Sequence, residues 1–564
     1  MDFSSIPSIF TLVALSALCA HVYFHRNEDT SVRGSILFLL VLPSLHTKFL
    51  LNYYPALQAT LTAFSLYYVV LFTSIIAYRL SPFHPLYKYP GPLCCRITKW
   101  TTAQVALLGE THRWVRDLHR RYGPIVRTGP NELSIIDKDM IPFILGSQGM
   151  PRGPLWDGRL FGEKDGKVYD SLITLRNQEE HAKLRKHWNR AFAAAPVKGY
   201  EVLLVRRMKQ LVQGLEKACR DSPNEVGKID LAKWVSYLAY DFMGDLAFNG
   251  VFNLLVDGDS AGLLKGMYDA MVLPSITQHI PWILPFLRSL PVVNAGMSGF
   301  IDFAEAQVKQ RLSKTPKHPD LFHYMIEAAE EADSGMNPES LILQNSLLAI
   351  VAGSDTTASI LSNVFYYLMR YPDYYKHLQE EIDGALDGSG SVEADRLTNL
   401  AFLNAVLNET LRLQPAVPTY LNRAPAIGSG GRGLSTSMFI PEGTAVFVSP
   451  YTIHRDPRYF SPRPDDFWPE RWVQTSAKTP LITDDKEPFI LARDAFIPFS
   501  VGPANCAGKP IALIEMRLAI ANTVRRFDMA FDDDFDPDQW ERELLDRFVI
   551  VKGQLNVALR LRRL

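Results

Sequence analysis

Apolar residues are massed at the start of the chain and spaced out after it. Ile6–Phe24 and Gln58–Tyr78 carry no charge, and at ~1.5 Å per residue each is about long enough to cross a ~30 Å hydrocarbon core. Between them Ile36–Leu51 is interrupted by Pro43, His46 and Lys48 and reads as a third span or a re-entrant piece. The opening MDFSS has no basic residue, which argues against a cleaved leader. Arg26 and Arg33 lie in the first loop, whereas the start and residues 52–57 carry no Lys or Arg. The positive-inside bias then favours three spans and puts everything after Arg79 on the cytosolic side. Next comes SPFHPLYKYPGP, whose Pro82, Pro85, Pro90 and Pro92 predict a stiff, extended hinge. The expected organisation is a membrane anchor of two or three transmembrane helices over 1–80, a Pro-rich hinge over 81–92, and a body over 93–564.

In the body the apolar spacing changes to three and four residues, predicting helices over 198–221, 299–313, 338–370 and 398–413. Strand-like runs are short: Ile125–Arg127, Leu133–Ile136, Ala445–Val448 and Leu555–Leu559. No internal repeat is present. The expected fold class is mainly α with a small β portion, preceded by N-terminal transmembrane helices.

Composition narrows the functions. The 564 residues hold 59 Lys+Arg against 60 Asp+Glu, without the basic excess that phosphate neutralisation needs, so no nucleic-acid partner is expected. Hydrophobic residues at 47% can build a large core. The five cysteines form no C-x-x-C pair, and their odd number excludes a secreted disulfide scaffold.

Cys506 stands apart. It lies in Phe499-Ser-Val-Gly502-Pro-Ala-Asn-Cys506-Ala-Gly508, just before the amphipathic run KPIALIEMRLAIANTVRRF. A thiolate at a helix N-terminus is stabilised by unpaired N–H groups and the positive end of the dipole, as an anionic metal ligand needs. Gly502 and Gly508 would let the backbone come close to a flat cofactor, and Phe499 would shield the sulfur. This segment resembles the haem-binding loop of the cytochrome P-450 superfamily. Three more segments follow that family's order: Ala352-Gly353-Ser354-Asp355-Thr356-Thr357 resembles its oxygen-activation segment, Glu409-Thr410-Leu411-Arg412 its E-x-x-R motif, and Pro469-Glu470-Arg471-Trp472 its P-E-R-F/W motif. The hairpin RYGPIVRTGPNELSI is similar too, so the likeness runs from about residue 82 to the C-terminus.

The resemblance implies roles residue by residue. Cys506 would be the axial ligand of haem b iron, with Phe499, Gly502 and Gly508 around it. Asp355 and Thr356 would deliver protons; the Thr356 hydroxyl can compete for the Ala352 carbonyl and is expected to loosen the helix into a local bulge beside Gly353. Glu409, Arg412 and Arg471 would form a buried network that holds the Cys loop. His181, Arg185 and Arg423 would bind the haem propionates, and carry more of that load because Ala504 stands where most members have Arg or His. Around His181, Lys183, Lys186 and Arg190 make a basic face that would suit an acidic electron donor.

The implied activity is a membrane-bound haem-thiolate monooxygenase of fungal microsomal type, in the endoplasmic reticulum membrane with its catalytic domain cytosolic. It would hydroxylate hydrophobic small molecules with O2 and electrons from NADPH through a separate reductase, in terpenoid or other secondary-metabolite tailoring or in broad oxidation of polycyclic or foreign compounds. A haem-thiolate isomerase or dehydratase and a non-catalytic membrane haem or sterol-binding protein are the alternatives; the Asp355–Thr356 pair argues against the first. The pocket wall is expected from 153–172, Gln344–Ala352 and Pro415–Leu421, which are largely apolar. Two other patterns carry little: Gly428–Gly433 fits G-x-G-x-x-G without a strand-to-helix context, and Asp532, Asp534, Asp536 and Glu543 fit a calcium loop in which Pro537 takes the glycine position.

Overall fold

The computed structural model describes residues 6–26, 32–159, 171–248, 250, 252–288, 305–311, 320–331, 338–386, 393–435, 438–473 and 488–563, with short strands at 163–164 and 167–168. Of the expected helix 299–313, residues 305–311 are described and helical. The rest of that helix, and most of 160–170 in the expected pocket wall, lie outside the described residues.

The N-terminal region is a helical bundle of α1 (Ile6–Arg26), α2 (Leu42–Leu50) and α3 (Ala56–Leu80). Ile6–His25 and Ala56–Leu80 are long and apolar enough to cross a bilayer. The third segment is helical as well, entering α2 through a π-helical turn over Leu37–Val41. Val13, Ala17, Ala59, Ala63 and Tyr67 are buried together between the helices. Polar contacts fix their register: His46 Nε2 meets Ser16 Oγ at 2.7 Å, and Tyr67 and Tyr68 donate to the carbonyls of Phe38 and Leu39 in the π turn at 2.7 and 2.6 Å. Leu57, Leu61, Val69 and Phe72 point outward, the arrangement a lipid-facing surface requires.

Residues 81–92 are a run of turns packed on the body, where an extended hinge was expected. The prolines do stop α3, but His84, Leu86 and Tyr89 are buried, so the segment folds back to cover them. Arg127, fully buried, donates to the carbonyls of Arg79 at 3.2 Å and Pro130 at 2.8 Å, and its own N–H donates to Pro90 O at 2.7 Å. A Cβ on Gly91 would come within 2.2 Å of Arg127 O, so only glycine permits this approach. Arg79 in turn donates to Ile97 O at 2.5 Å.

The body is mainly helical: α4 (Gln178–Ala191), α5 (Ala194–Arg220), α6 (Leu231–Phe248), α7 (Pro338–Arg370), α8 (Ala401–Leu413) and α9 (Lys509–Arg526) build the main core. The span Leu341–Arg370 of α7 is as apolar as a membrane helix, but 67% of its most apolar stretch is buried inside the body, which makes it a core helix. Two larger sheets accompany the helices. In the first, β1 (Ile125–Gly129), β2 (Glu132–Ile135), β5 (Ala445–Val448) and β4 (Leu421–Arg423) lie side by side in that order, with only β2 and β5 parallel. The second joins β6 (Phe527–Phe531), β7 (Asn556–Leu561) and β3 (Gly227–Asp230), all antiparallel. The expected fold class holds.

Both minor sequence patterns have structural partners. Gly428 and Gly430 donate their N–H groups to the Glu442 carboxylate at 2.7 and 2.8 Å, at the open end of the hairpin that pairs 431–433 with 439–441. Asp532 pairs with Lys228 at 2.5 Å, and Asp536 caps the N–H of Asp538 at 3.0 Å.

Candidate active site

The loop before α9 folds around its own backbone. Cys506 N–H donates to Phe499 O at 2.9 Å, and Gly502 sits at φ +75°, where an added Cβ would lie 2.1 Å from Leu145 O. Gly508, directly before α9, has nothing within 4 Å of an added Cβ. That space belongs to a cavity of about 270 Å³, lined by Cys506, Phe499 and Gly508 on one side and Ala352, Gly353 and Thr356 of α7 on the other. Cys506 keeps accessible surface and lines this cavity. Burial pushes its thiol up; the N–H groups of Gly508 and Lys509 and the Arg185 guanidinium pull the other way. Those groups favour the thiolate that a metal would take. Phe499 has the Lys509 ammonium 5.5 Å from its ring centre.

On α7, Thr356 donates to Ala352 O at 2.6 Å, as its spacing predicts. The expected bulge is absent: α7 is unbroken α-helix from Pro338 to Arg370. The hydroxyl shares a carbonyl that stays within the helix, and Met243 of α6 packs so tightly on Gly353 that a Cβ would meet its sulfur at 2.5 Å. Asp355 points to α6, where the Tyr240 hydroxyl donates to it at 2.6 Å, and it does not line the cavity. Burial pushes its carboxyl up, opposed by the Tyr240 bond and Lys552.

Glu409, Arg412 and Arg471 come together with no solvent exposure. Arg412 grips Glu409 through two bonds of 2.8 Å and also donates to the carbonyls of His454, Pro464 and Asp466. Arg471 lies 3.5 Å from the same carboxylate and donates to the carbonyls of Pro462 and Arg463, while Trp472 Nε1 completes the shell at 2.9 Å. Burial pushes Glu409 up, but Arg412 and Arg471 outweigh it, and its carboxyl ends below the usual range. The link to the Cys loop is His454. Its Nδ1 donates to Arg412 O at 3.2 Å and its Nε2 accepts from Ile497 N–H at 2.9 Å, two residues before Phe499. Burial depresses its pKa to about 3, so it stays neutral and can serve both contacts.

A basic cluster closes one edge of the cavity. Arg185 and Arg423 are joined there by Arg152, which pairs with Arg423 through a backbone bridge, and His181 lies with these three in an adjoining pocket. Among the described residues no carboxylate pairs with Arg152, Arg185 or Arg423. Among the described residues Arg152 Nε and His181 Nε2 are sealed without a hydrogen-bond partner, and the one side-chain hydrogen bond of Arg423 is to Asn422 O at 3.0 Å. Burial and the neighbouring guanidinium groups hold His181 down to about 4. Arg185 is committed otherwise than expected: it clamps the Cys loop, donating to Asn505 O and Oδ1 at 2.5 and 2.7 Å. Sequence reasoning missed Arg152, whose neighbours MPRGP show no periodic pattern, and His454, a lone histidine among loop residues.

Residues 90–557, nearly all of the body, match the family model described as Cytochrome P450. The chain belongs to the cytochrome P450 family. Among curated relatives, Cytochrome P450 67 of Uromyces fabae is 32% identical over 96% of this chain and 97% of its own. A Cytochrome P450 monooxygenase, notG', of Aspergillus versicolor is 29% identical over 99% of each chain, and Tryprostatin B 6-hydroxylase of Aspergillus fumigatus is 30% identical over 87% of this chain and 85% of its own. The chain is thus an enzyme, a cytochrome P450 monooxygenase, and the family implies a haem-iron cofactor. The residues fit that group. A sulfur faces an apolar cavity, glycine leaves open space beside it, and a cluster of unneutralised guanidinium groups stands where two carboxylates would find partners.

Proposed function

We propose that this cytochrome P450 hydroxylates a hydrophobic small molecule of fungal secondary metabolism, using O2 and electrons that a separate NADPH-dependent reductase delivers. The observation that carries the reading is the cavity itself, with Cys506 on one wall, the Thr356 hydroxyl on the other, and Ile173, Leu348, Ile360 and Val417 along its apolar lining. The tryprostatin hydroxylase among the relatives supports a secondary metabolite as the substrate class.

When bound, haem supplies the oxygen chemistry, and thiolate ligation by Cys506 favours O–O cleavage. Arg152, His181 and Arg423 would hold its carboxylates, and Arg185 keeps Asn505 and hence Cys506 in place. Thr356 Oγ already donates to Ala352 O, so its lone pairs are free to accept a hydrogen bond from a water in the cavity. Asp355, held by Tyr240, stands behind Thr356 as an acid that would have to turn toward the cavity to share in proton delivery. The apolar wall excludes bulk water and orients the substrate by burial. We further assign 1–80 as the membrane anchor, with the endoplasmic reticulum as its membrane and the body on the cytosolic side.

The test is spectroscopic and chemical. Reduced holoenzyme in membranes should give the carbon-monoxide band of thiolate-ligated haem, and Cys506→Ser should remove it, because a hydroxyl is a poor soft donor. With co-expressed reductase, a panel of hydrophobic metabolites should yield hydroxylated products. A surviving band in the variant would refute the ligand assignment.

A further inference from the structure

Trp156 and Tyr420 line the cavity and share one buried apolar cluster, and the His279 ring rests on that of Tyr420 with centroids 5.0 Å apart. The three residues are 3%, 1% and 4% exposed, and Trp156 Nε1, Tyr420 Oη and His279 Nδ1 have no hydrogen-bond partner among the described residues. Close packing assembles them. Thr277, ahead of His279, presses on the turn Pro154–Arg159: a Cβ on Gly158 would come within 2.2 Å of Thr277 O, and the Thr277 hydroxyl donates to Gly158 O at 2.6 Å. Gln278 then sets the histidine tautomer. Arg159 can only donate, so it meets the Gln278 oxygen at 2.9 Å, and the Gln278 nitrogen donates to Ser275 O at 3.0 Å and His279 Nε2 at 3.2 Å. Burial, then Lys99 and Arg159, holds His279 well below its ordinary value, so the ring is neutral. With Nε2 accepting, its one proton is on Nδ1. Trp156 and His279 are fixed donors, and the Tyr420 hydroxyl can donate beside them. Buried donors without acceptors are rare, and three in one cluster ask for an acceptor that completes them.

We propose that Trp156, His279 and Tyr420 form a subsite that binds a carbonyl oxygen of the substrate, which is then a hydrophobic ketone or amide and not a plain hydrocarbon. This rests on the monooxygenase reading and narrows its substrate class. A carbonyl oxygen brings lone pairs and no proton, the complement of fixed donors. An alcohol would bring a proton that neither Trp156 nor His279 can accept. Burial, then the nearby Glu132 and Asp546, hold the Tyr420 proton in place, and a substrate carboxylate would meet the same repulsion.

Fused-ring ketones test the subsite on the holoenzyme, each paired with the hydrocarbon that has CH2 in place of the carbonyl; fluorenone and fluorene are the simplest pair. Equilibrium dialysis reads affinity, and the infrared C=O band reads the bound ketone directly. Ketones should bind at least about threefold tighter than their partners, with the C=O band below its position in an alkane. Trp156→Phe and Tyr420→Phe each keep a ring and remove a donor. Each should weaken ketone binding about three- to tenfold, the range of one hydrogen bond, and move the C=O band back up. The carbon-monoxide band and the hydrocarbon affinities should stay within about twofold, which shows that the fold is intact. Ketones that bind no tighter than their partners overturn the proposal, as does an undiminished ketone preference in both variants, which would leave the donors to water. Faster haem transfer from Trp156→Phe to an acceptor protein, with ketone affinity unchanged, also overturns it, because the indole N–H would then serve a haem propionate. Absence of the carbon-monoxide band in the parent would instead strike the monooxygenase reading, while dialysis and infrared still report on the subsite.

Discussion

Arg152 and Arg423 are the residues whose surroundings ask most plainly for a missing anion. A buried guanidinium normally meets a carboxylate, and here neither does among the described residues. Arg185, the expected third donor, already has both Nη atoms on Asn505. Ala504 borders the same cavities and offers no charge. A charge-assisted hydrogen bond contributes about 1.5–3 kcal/mol, or roughly tenfold to a hundredfold in retention. Arg423→Ala should therefore speed haem transfer to an acceptor protein by about that factor, and Arg152→Ala should do the same. Adding Ala504→Arg to either should recover part of the loss, since its side chain opens on the space they share. Equal haem loss in parent and single variants would mean that the propionates lie elsewhere. Cys506, Thr356 and the glycines were legible in the sequence because their meaning is carried by neighbours within a few positions. Arg152 was not, because it reaches Arg423 only through a bridge between segments 271 residues apart in sequence.

Among the elements, α7 and three strands of the first sheet follow the apolar pattern, Pro338–Arg370 and Ala445–Val448 with the expected bounds, whereas the strand Leu421–Arg423 was not expected. Periodicity could not reveal the regularity of α7 at Gly353, since that depends on Met243 from another helix. Nor could it reveal how the E-x-x-R helix is coupled to the Cys loop, which needs His454 as a bridge. His454→Phe should keep the ring volume and lose both hydrogen bonds, leaving the buried N–H of Ile497 unpaired. The expected cost is about 1–3 kcal/mol, read as a lower midpoint in thermal loss of the haem absorbance. A pH signature accompanies it. His454 titrates at about 3 in the folded chain against 6.5 ordinarily. Between those values the unfolded chain alone takes up this proton, so acidification costs up to about 1.4 kcal/mol per pH unit from this one group. The stability of His454→Phe should fall less steeply from pH 6.5 to 5 than that of the parent. Parallel slopes would show that His454 is not neutral in the native state.

At the scale of the molecule, the sequence indicated a tether and the structure has a joint. Proline spacing marks where α3 ends but cannot tell whether the next residues hang free; His84 turns inward to meet the Arg127 guanidinium at 3.3 Å, and Leu86, whose N–H donates to His84 Nδ1, is buried with it. Removing residues 1–80 should release the body from membranes with its haem site intact, since every residue assigned to that site lies downstream. It should also leave Arg127 without the Arg79 carbonyl and lower the thermal midpoint by a few degrees, a loss that a truncation starting at Tyr78 avoids. If both truncations melt alike, the Arg79–Arg127 contact carries no stability. In the proposed membrane, that joint fixes a tilt. A body pinned to its last helix cannot nod or roll independently, so the mouth of the cavity keeps one height above the lipid and every electron donor meets the same flank. Exchanging this tail for an equally greasy one from another protein would keep the enzyme at the membrane and still spoil its posture, unless Arg79 travels with the graft.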